Sequence, residues 1–517
     1  MSSAGPANAV VRERHPFVEM LLVATPTVVT MTSYTVMQFI DGLMVSRIGP
    51  DPVYVSAQGN GGMAVWLVVS VALGAMGVIN TYVAQNLGAG RPERGSAYAW
   101  NGLWMSAAWA LLMVPYALAL PAVFGAMGHG DELLRLETEY AQINVWGAFF
   151  VLGSRSIAHY FYGLHRPGIV MVSVLTANVV NVALNALLIF GADGPPAWTP
   201  LAGLFKSTAE SLGIAPMGVA GAAVATVIGA SIELFIPFIV FLSPRMNRRY
   251  ATRSAWRLSW RHVRDIWRIG WPGGLMFGNE MICWAYLMAV LLGEGGKAMS
   301  DAPEVHNTAG WIALRYMHLS FMPAVGISIA VTALVGRCMG MRRPDLAARR
   351  AWLGLGVTMA YMGACALAFV LFRQTLVGVF IPEDMPPEKV ERLIAVGSSV
   401  MIAAAVFQLF DAVAITMSGT LRGAGDTVWP GVVTIVLSWV CIVGGGHLAI
   451  AVVPHWGSMG PWVGASAYII LLGVFLLARF VAGDWKRIDL LGRSASGVAP
   501  DLAAVAEAVA PASPGQA

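Results

Sequence analysis

Charged residues are scarce in this 517-residue chain: Asp, Glu, Lys and Arg make up 12% of it, and hydrophobic residues make up 57%. Soluble domains carry about 25% charged residues, so the composition excludes an ordinary soluble protein. Membrane barrel strands alternate apolar and polar residues, whereas the apolar runs here are long and continuous. Because only helices and closed barrels satisfy the backbone inside lipid, the sequence predicts an all-α polytopic membrane protein.

Cysteine is scarce as well, and its spacing matches no metal site. The chain has four cysteines, none in a CxxC pair: Cys283, Cys338, Cys365 and Cys441. We therefore expect reduced structural thiols, no disulfide and no cofactor. The pattern of a cleavable signal peptide is also missing, because the first apolar run contains Pro26 and Asp41 and lacks a small-residue cleavage site. We expect the first helix to be retained.

Long apolar segments are abundant, and there are twelve of them. They fall at about 17–46, 61–85, 98–124, 136–162, 168–191, 216–242, 270–293, 310–336, 351–380, 394–418, 428–453 and 461–482. Most Lys and Arg lie at the two ends and in the loops after even-numbered segments, whereas the opposite loops near 131–139 and 383–391 are acidic. The positive-inside rule then predicts a multi-pass cell-membrane protein with both termini cytoplasmic. The membrane that we expect is the bacterial inner membrane.

The two halves of the chain repeat. GAMGVINTYVAQNLGAGRP, from Gly74 to Pro92, matches GISIAVTALVGRCMGMRRP, from Gly326 to Pro344, at an offset of 252 residues. Six helices in each half give both halves the same orientation, so an axis along the membrane normal should relate two pseudo-symmetric six-helix bundles. The predicted organisation is a cytoplasmic N-terminus (1–16), a lobe (17–242), a basic cytoplasmic linker (243–269), a second lobe (270–482) and a partly disordered cytoplasmic tail (483–517).

The linker holds the strongest cluster of positive charge. Between Arg245 and Arg268 there are eight arginines and one acid, Asp265, and three tryptophans lie among them: Trp256, Trp260 and Trp267. Nucleic-acid or regulatory lipid binding is one interpretation. We favour a helix that lies on the anionic inner leaflet and links the halves, and we expect membrane lipid, not nucleic acid, as its partner.

Three carboxylates lie inside apolar stretches. Asp41 lies within 26–44, Glu280 within 271–292 and Asp411 within 396–417, and no Lys or Arg falls in these stretches. A charge at the centre of a membrane helix costs roughly 2.5–3.5 kcal/mol on insertion scales. Such groups are retained when they bind a proton or a cation, so the three acids predict ion-coupled transport. A structural, hydrogen-bonded acid is the alternative at each position.

Polar residues accompany the first of these acids. Asn178, Asn181 and Asn185 share one face of the fifth segment, and Thr226 lies in the sixth. A carboxylate with amide and hydroxyl oxygens suits a small hard cation such as Na⁺, or a relayed proton. The alternative is that the amides join neighbouring helices. Arg155 and Glu233 also lie in apolar segments, and the sequence assigns neither a role.

Three motifs resemble those of the multidrug and toxic compound extrusion (MATE) transporters, in their NorM-like branch. The first helix has Pro26, Phe39-Ile40-Asp41-Gly42 and Gly49, and the seventh has Pro272 followed eight residues later by Glu280. The tenth carries the most specific match, to the pattern FQ-x-x-D-A…G-x-LRG-x-x-DT, from Phe407 to Thr427. Across 17–482 the resemblance implies antiport of Na⁺ or H⁺ against cationic amphipathic compounds, by a functional monomer that confers antibiotic resistance and is not an enzyme.

The resemblance also implies roles for individual residues. Asp41, Glu280 and Asp411 would couple the ion together with Asn181, Asn185 and Thr226, and Na⁺ could bind at Glu280, Asp411 or Asp41. We place a substrate cavity near Gln38, Asn178, Phe407 and Gln408. The chain departs from the family where Gly310-Trp311 replaces a His-Gln pair and where Phe407 replaces a tyrosine found in some members.

Two other functions fit parts of the sequence less well. A lipid-linked sugar flippase of the same wider superfamily would line its cavity with basic residues, whereas the predicted midplane residues here are acidic. An intramembrane aspartyl protease would need a Tyr-Asp pair beside the GxGD match at Gly423–Asp426, and the chain has no Tyr-Asp dipeptide.

Overall fold

The computed structural model describes residues 15–51, 53–298, 303–381 and 386–492. Within these ranges the chain forms helices and no strand, which confirms the all-α prediction. Nearly all of the predicted cytoplasmic N-terminus and the predicted disordered stretch of the tail lie outside the described residues.

The long helices follow the predicted segments. We number them along the chain as α1 Pro16–Val45, α2 Val53–Gly88, α3 Pro92–Ala126, α4 Asp131–Trp146 with Ala148–Gly163, α5 Pro167–Leu188, α6 Gly218–Phe241, α7 Trp260–Lys297, α8 Val305–Gly340, α9 Pro344–Leu371, α10 Pro387–Ala424, α11 Val428–Val452 and α12 Met459–Ala482. Shorter helices at Ala202–Leu212, Pro244–Tyr250 and Arg373–Gly378 lie between them.

Eleven of these helices, within the described ranges, are long and apolar enough to cross a membrane. The exception is α4, the fourth predicted segment, which is helical but divided at Gly147. Its first piece begins with Asp131 and Glu132, and these acids lower its hydropathy. The chain is therefore a multi-pass membrane protein.

The first helix of each half also packs against the other half. Helix α1 packs against α8, and α7 packs against α2, in addition to the contacts that each makes within its own half. Small residues allow the second of these contacts: a Cβ atom on Gly274 would lie 2.2 Å from the backbone oxygen of Val71, and one on Gly270 would lie 2.5 Å from that of Ala75. The reciprocal pairing is the arrangement expected of two repeated bundles related by an axis.

The repeated sequence segments meet at that axis. A Cβ atom on Gly88 would lie 1.9 Å from the Arg337 oxygen, and one on Gly340 would lie 2.1 Å from the Gln85 oxygen. Residues 85 and 337, like residues 88 and 340, differ by the same 252 positions as the sequence repeat. Only glycine fits at a backbone approach this close, so the glycines at these matching positions of the repeat have a direct steric cause.

The turns after the repeated helices also correspond. Helix α2 is followed by Gly90 at φ 70° and helix α8 by Arg342 at φ 57°, again 252 residues apart. In each case an arginine and then a proline follow, and the proline begins the next helix. A residue in the left-handed region stops a helix, and proline fits the first turn of the next one.

The halves are joined at their basic, predicted cytoplasmic ends. Glu19 of α1 pairs with Arg337 of α8 and, at 2.6 Å, with Arg350 of α9. The Thr27 hydroxyl donates to the Gly326 oxygen at 2.7 Å. These contacts close the molecule on the side that carries the basic loops.

Two further bonds strengthen this closure. The Thr81 hydroxyl donates to the Arg422 oxygen at 2.9 Å, and the Gln85 amide donates to the Gly423 oxygen at 3.1 Å. In the turn between α4 and α5, burial and then the nearby Arg337 guanidinium lower the pKa of His165 to about 4. The ring is therefore neutral at pH 7, and its Nε2–H donates to the Ala333 oxygen at 3.2 Å.

The basic linker differs from the separate surface helix that we expected. Residues 251–259 are irregular, and the helical arginine pattern from Arg261 to Arg268 forms the first turns of α7 itself. Side chains of α3 fasten the irregular part: Trp100 donates to the Thr252 oxygen at 2.7 Å, and Trp104 donates to the Trp256 oxygen at 2.8 Å. These bonds satisfy backbone groups that a helix would otherwise have paired internally.

Candidate functional site

The N-terminal acid lies among amides, as the sequence predicts. Asp41, which is 8% exposed, accepts a hydrogen bond from Asn185 Nδ2 at 2.5 Å. The same nitrogen lies 3.2 Å from Asn181 Oδ1. One helical turn separates the two asparagines on α5 and aims both at α1. Tyr140 of α4 is an electrostatic neighbour of Asp41.

Two polar atoms of this cluster have no protein partner. Asn181 Nδ2 and Asn185 Oδ1 are buried and unpaired. Buried polar groups are nearly always hydrogen-bonded, so an additional polar species fits this cluster. A carboxylate with two amide oxygens is a donor set that a small hard cation accepts, and a proton on Asp41 would also suit the Asn185 oxygen.

Two other predicted members of the N-terminal set make different contacts. Asn178 donates to the Ser33 backbone oxygen at 3.2 Å and to the Ser33 hydroxyl at 2.5 Å, which joins α5 to α1. The Thr226 hydroxyl donates to the Ala222 oxygen of its own helix at 2.9 Å. The structure therefore brings together Asp41, Asn181 and Asn185, and leaves Asn178 and Thr226 in separate bonds.

In the second half the two acids lie within electrostatic range of each other. Glu280 of α7 is half-buried and Asp411 of α10 is 9% exposed, and the two carboxyl groups are electrostatic neighbours. The Tyr468 hydroxyl of α12 donates to Glu280 Oε1 at 2.5 Å. Within the described part of the chain, no salt bridge reaches either acid. Two like charges in a common interior repel, so a bound proton or cation would stabilise this pair.

Sequence reasoning missed Tyr468. It lies 188 residues from Glu280, and a contact at that separation leaves no local pattern. The one available signal was that Tyr468 is the single tyrosine in α12. Its hydroxyl is relevant because Phe407, where some family members have tyrosine, is buried and carries no polar group.

A break in helical geometry lies next to this pair. Helices α7 and α11 each contain a π-helical turn, Leu287–Leu291 and Ser438–Gly444. Asn279 donates to the Ser438 hydroxyl at 2.7 Å and accepts from Trp439 Nε1 at 2.7 Å. Single π-turns occur frequently at functional sites. One of these two lies in the helix that carries Glu280, and the other lies in α11, to which Asn279 of that helix is bonded.

The predicted cavity residues are divided between surface and interior. Gln38 is exposed and Asn178 is partly exposed, whereas Phe407 is 3% exposed and Gln408 is 1% exposed. Gln408 donates to the Ser320 hydroxyl at 2.5 Å and so ties α10 to α8. Where Gly310-Trp311 departs from the family pattern, Trp311 is 47% exposed and Gly310 packs against Leu292.

Arg155 and Glu233, to which the sequence assigned no role, form a cluster with Tyr34 in which Tyr34 and Glu233 are buried and Arg155 is partly exposed. The Tyr34 hydroxyl donates to Glu233 Oε1, and Arg155 Nη1 lies 3.6 Å from the same oxygen. The Arg155 guanidinium also stacks 4.2 Å from the centre of the Tyr34 ring. Arg155 thus has its counter-charge within the lobe, unlike the acids of the second half.

A sequence model of the MatE family matches residues 26–187 and 300–445. The chain belongs to the MatE family. Members of this family are transporters, so the chain is a membrane transporter and not an enzyme.

Similar proteins cover nearly the whole chain. A probable multidrug resistance protein NorM from Mesorhizobium japonicum is 26% identical over 90% of this chain and 93% of its own length. One from Deinococcus radiodurans is 28% identical over 89% of this chain and 94% of its own length. The MatE match and these relatives confirm the resemblance drawn from the sequence.

Solved MATE structures share the fold. A MATE transporter in complex with MaL6 superposes with a TM-score of 0.77 at 20% identity, over 92% of this chain and 99% of the other. A multidrug resistance MATE transporter of the MOP superfamily in an outward-facing conformation superposes with a TM-score of 0.76 at 20% identity, over 94% and 100%. The two-bundle architecture is therefore that of the MATE transporters.

Proposed function

We propose that this transporter exports cationic amphipathic drugs or metabolites from the cytoplasm by antiport with H⁺ or Na⁺. The observation that carries the proposal is that the half-buried Glu280 and the buried Asp411 are electrostatic neighbours, and no salt bridge reaches either of them among the described residues. A pair of this kind is stable when it holds a proton or a cation. The names of the NorM relatives support multidrug efflux as the class of transport.

The proposed cycle uses the cleft between the two lobes. The inner-side contacts, among them Glu19 with Arg337, close the basic end and support an outward-open state. In that state the ion would load at the acids and weaken the hold on the cationic cargo, which would leave. Reorientation would break the inner contacts and expose the cleft to the cytoplasm.

The driving force is sufficient for efflux. Moving one net charge across roughly 100–150 mV supplies about 2.3–3.5 kcal/mol. That free energy supports a substrate gradient of roughly 50- to 350-fold. The proposal places the protein as a monomer in the bacterial inner membrane with both termini in the cytoplasm.

A vesicle assay tests the proposal. Everted vesicles are loaded with an inside-high proton gradient or an inside-high sodium gradient, and ethidium uptake is followed by fluorescence. We expect uptake under one of the two gradients and its collapse when a matching ionophore is added. Uptake that persists without either gradient would contradict antiport.

The same assay addresses the flippase alternative. A lipid-linked sugar flippase would move an anionic cargo and should not accumulate ethidium under any ion gradient. The acids of the second half favour a cationic cargo, and the one arginine of the N-terminal cluster is already paired with Glu233.

A further inference from the structure

The start of α7 carries a cup of arginines to which the proposed transport cycle assigns no role. Trp260, Arg261, Arg264, Asp265 and Arg268 line a cavity of about 480 Å³ on one face of the first helical turns. The three arginines are exposed. Residues 261, 264 and 268 are spaced three and four apart, so their side chains project from the same side of the helix.

The single acid in the cup already accepts hydrogen bonds from other residues of the protein. Asp265 Oδ2 accepts a hydrogen bond from the Tyr98 hydroxyl at 3.1 Å, and the Asp265 backbone oxygen accepts from the Tyr82 hydroxyl at 3.0 Å. These tyrosines of α3 and α2 hold the base of the cup against the first lobe. Three guanidinium groups therefore face one carboxylate, and the cup has a net positive charge.

The cup has a fixed position because the preceding segment is fastened to α3. Ser96 donates to the Tyr250 oxygen at 2.8 Å, and the Ser259 amide donates to Asn101 Oδ1 at 2.8 Å. Together with the bonds from Trp100 and Trp104, these bonds anchor the segment from Tyr250 to Ser259. A preorganised group of arginines loses less conformational entropy when it binds a ligand.

The tryptophans set the depth of the cup relative to the membrane. Trp260 is 77% exposed, Trp256 is 53% exposed and Trp267 is 43% exposed. Exposed tryptophans gather at the level of lipid headgroups. Because α7 continues from Trp260 as a candidate membrane span to Lys297, its first turns lie at that level. An anion that reaches the cup from the membrane surface is therefore favoured over one from bulk solution.

We propose that this cup binds the phosphodiester headgroup of an anionic glycerophospholipid of the inner leaflet. Guanidinium groups donate paired hydrogen bonds to phosphate oxygens, and the exposed tryptophans cover the adjoining glycerol and acyl region. The site is independent of the proposed transport activity. It explains why arginines are concentrated on this short segment and alternate with tryptophan.

Native mass spectrometry of the detergent-purified full chain tests the site. The protein is titrated with phosphatidylglycerol and, in parallel, with phosphatidylcholine. The variant R261Q/R264Q/R268Q is compared with the control R94Q/R349Q/R487Q, which removes the same charge from exposed positions elsewhere on the basic side. We expect the dissociation constant of the most tightly bound phosphatidylglycerol molecule to rise at least about tenfold in the first variant. In the control it should keep the wild-type value.

Three outcomes would overturn the proposal. Equal loss of phosphatidylglycerol in both variants would show a general charge effect, and equal binding of phosphatidylcholine would show that the headgroup charge is irrelevant. Displacement of the lipid by millimolar inorganic phosphate would assign the cup to a soluble anion. Melting temperatures of the two variants are measured alongside, and the single variants R264Q and R268Q replace the triple one if it fails to fold.

Discussion

In the C-terminal half two carboxyl groups, Glu280 and Asp411, share one interior, whereas in the N-terminal half Asp41 lies alone among amides. A single buried acid with a donor such as Asn185 bears the cost of burying its charge, but no like charge adds to that cost. Two neighbouring acids with one tyrosine donor bear an added cost, because their charges repel. The difference indicates that the C-terminal pair depends more strongly on a bound proton or cation.

Replacing Asp411 with asparagine should have the largest effect. The substitution keeps the size of the side chain and removes one of the paired charges, so the pair no longer needs an ion. Ion binding worth about 3 kcal/mol would be lost, and we expect gradient-driven ethidium efflux to fall about 100-fold or more. The measurement is uptake by everted vesicles at matched expression. The exposed Asp131, replaced by asparagine, is the control, and normal transport by D411N would refute the site.

Glu280→Gln tests whether the two acids act as one unit. We expect a loss of efflux comparable to that of D411N, again about 100-fold. The double variant should lose little more than either single one, because groups that act together are strongly non-additive. Additive losses in the same vesicle assay would mean that the acids bind separate ions.

Asp41→Asn should have a smaller effect if the halves differ as the structure indicates. Asparagine retains an oxygen that can accept from Asn185, so the interior of the lobe keeps its hydrogen bond. We expect efflux to fall about tenfold, equivalent to about 1.4 kcal/mol. A loss equal to that of D411N would remove the distinction between the halves. N185L, which removes the donor and leaves the acid, serves as the matched variant.

Tyr468→Phe should give the smallest change among the site variants. It removes one hydrogen bond to Glu280, and bonds to charged groups contribute about 1.5–3 kcal/mol. The aromatic ring and its packing remain, so we expect the half-saturating ion concentration to change by roughly tenfold while maximal efflux is largely retained. Titrating the coupling ion in the vesicle assay measures this directly. Unchanged ion dependence would show that Tyr468 has only a structural role.

The fold was largely predictable because its causes are local. Long apolar runs located the helices, and the repeated Gly74–Pro92 and Gly326–Pro344 segments predicted two bundles with a common orientation. The repeat offset also relates the two close backbone approaches, of Gly88 to Arg337 and of Gly340 to Gln85. The helical arginines of the linker predicted a helix but not its continuity with α7, since no turn signal distinguishes a surface helix from the first turns of a membrane span.

The site was predictable in part. Asp41 with Asn181 and Asn185 follows from one helical stripe facing one acid, and the structure brings those residues together. Contacts that depend on tertiary packing leave no pattern in the amino-acid sequence. Tyr468 with Glu280 and Tyr34 with Glu233 join residues nearly 200 positions apart, and the π-turn in α7 arises in a stretch without proline. These features could be identified only from the three-dimensional arrangement of the helices.

The most direct test of the central claim is ion movement driven by cargo in reconstituted liposomes. A gradient of a cationic substrate is imposed on the purified protein, and proton and sodium flux are recorded with internal indicators. The account predicts counter-flux of one of the two ions in the wild type and none in D411N. Substrate movement without any ion counter-flux in the wild type, or the same counter-flux in D411N, would contradict it.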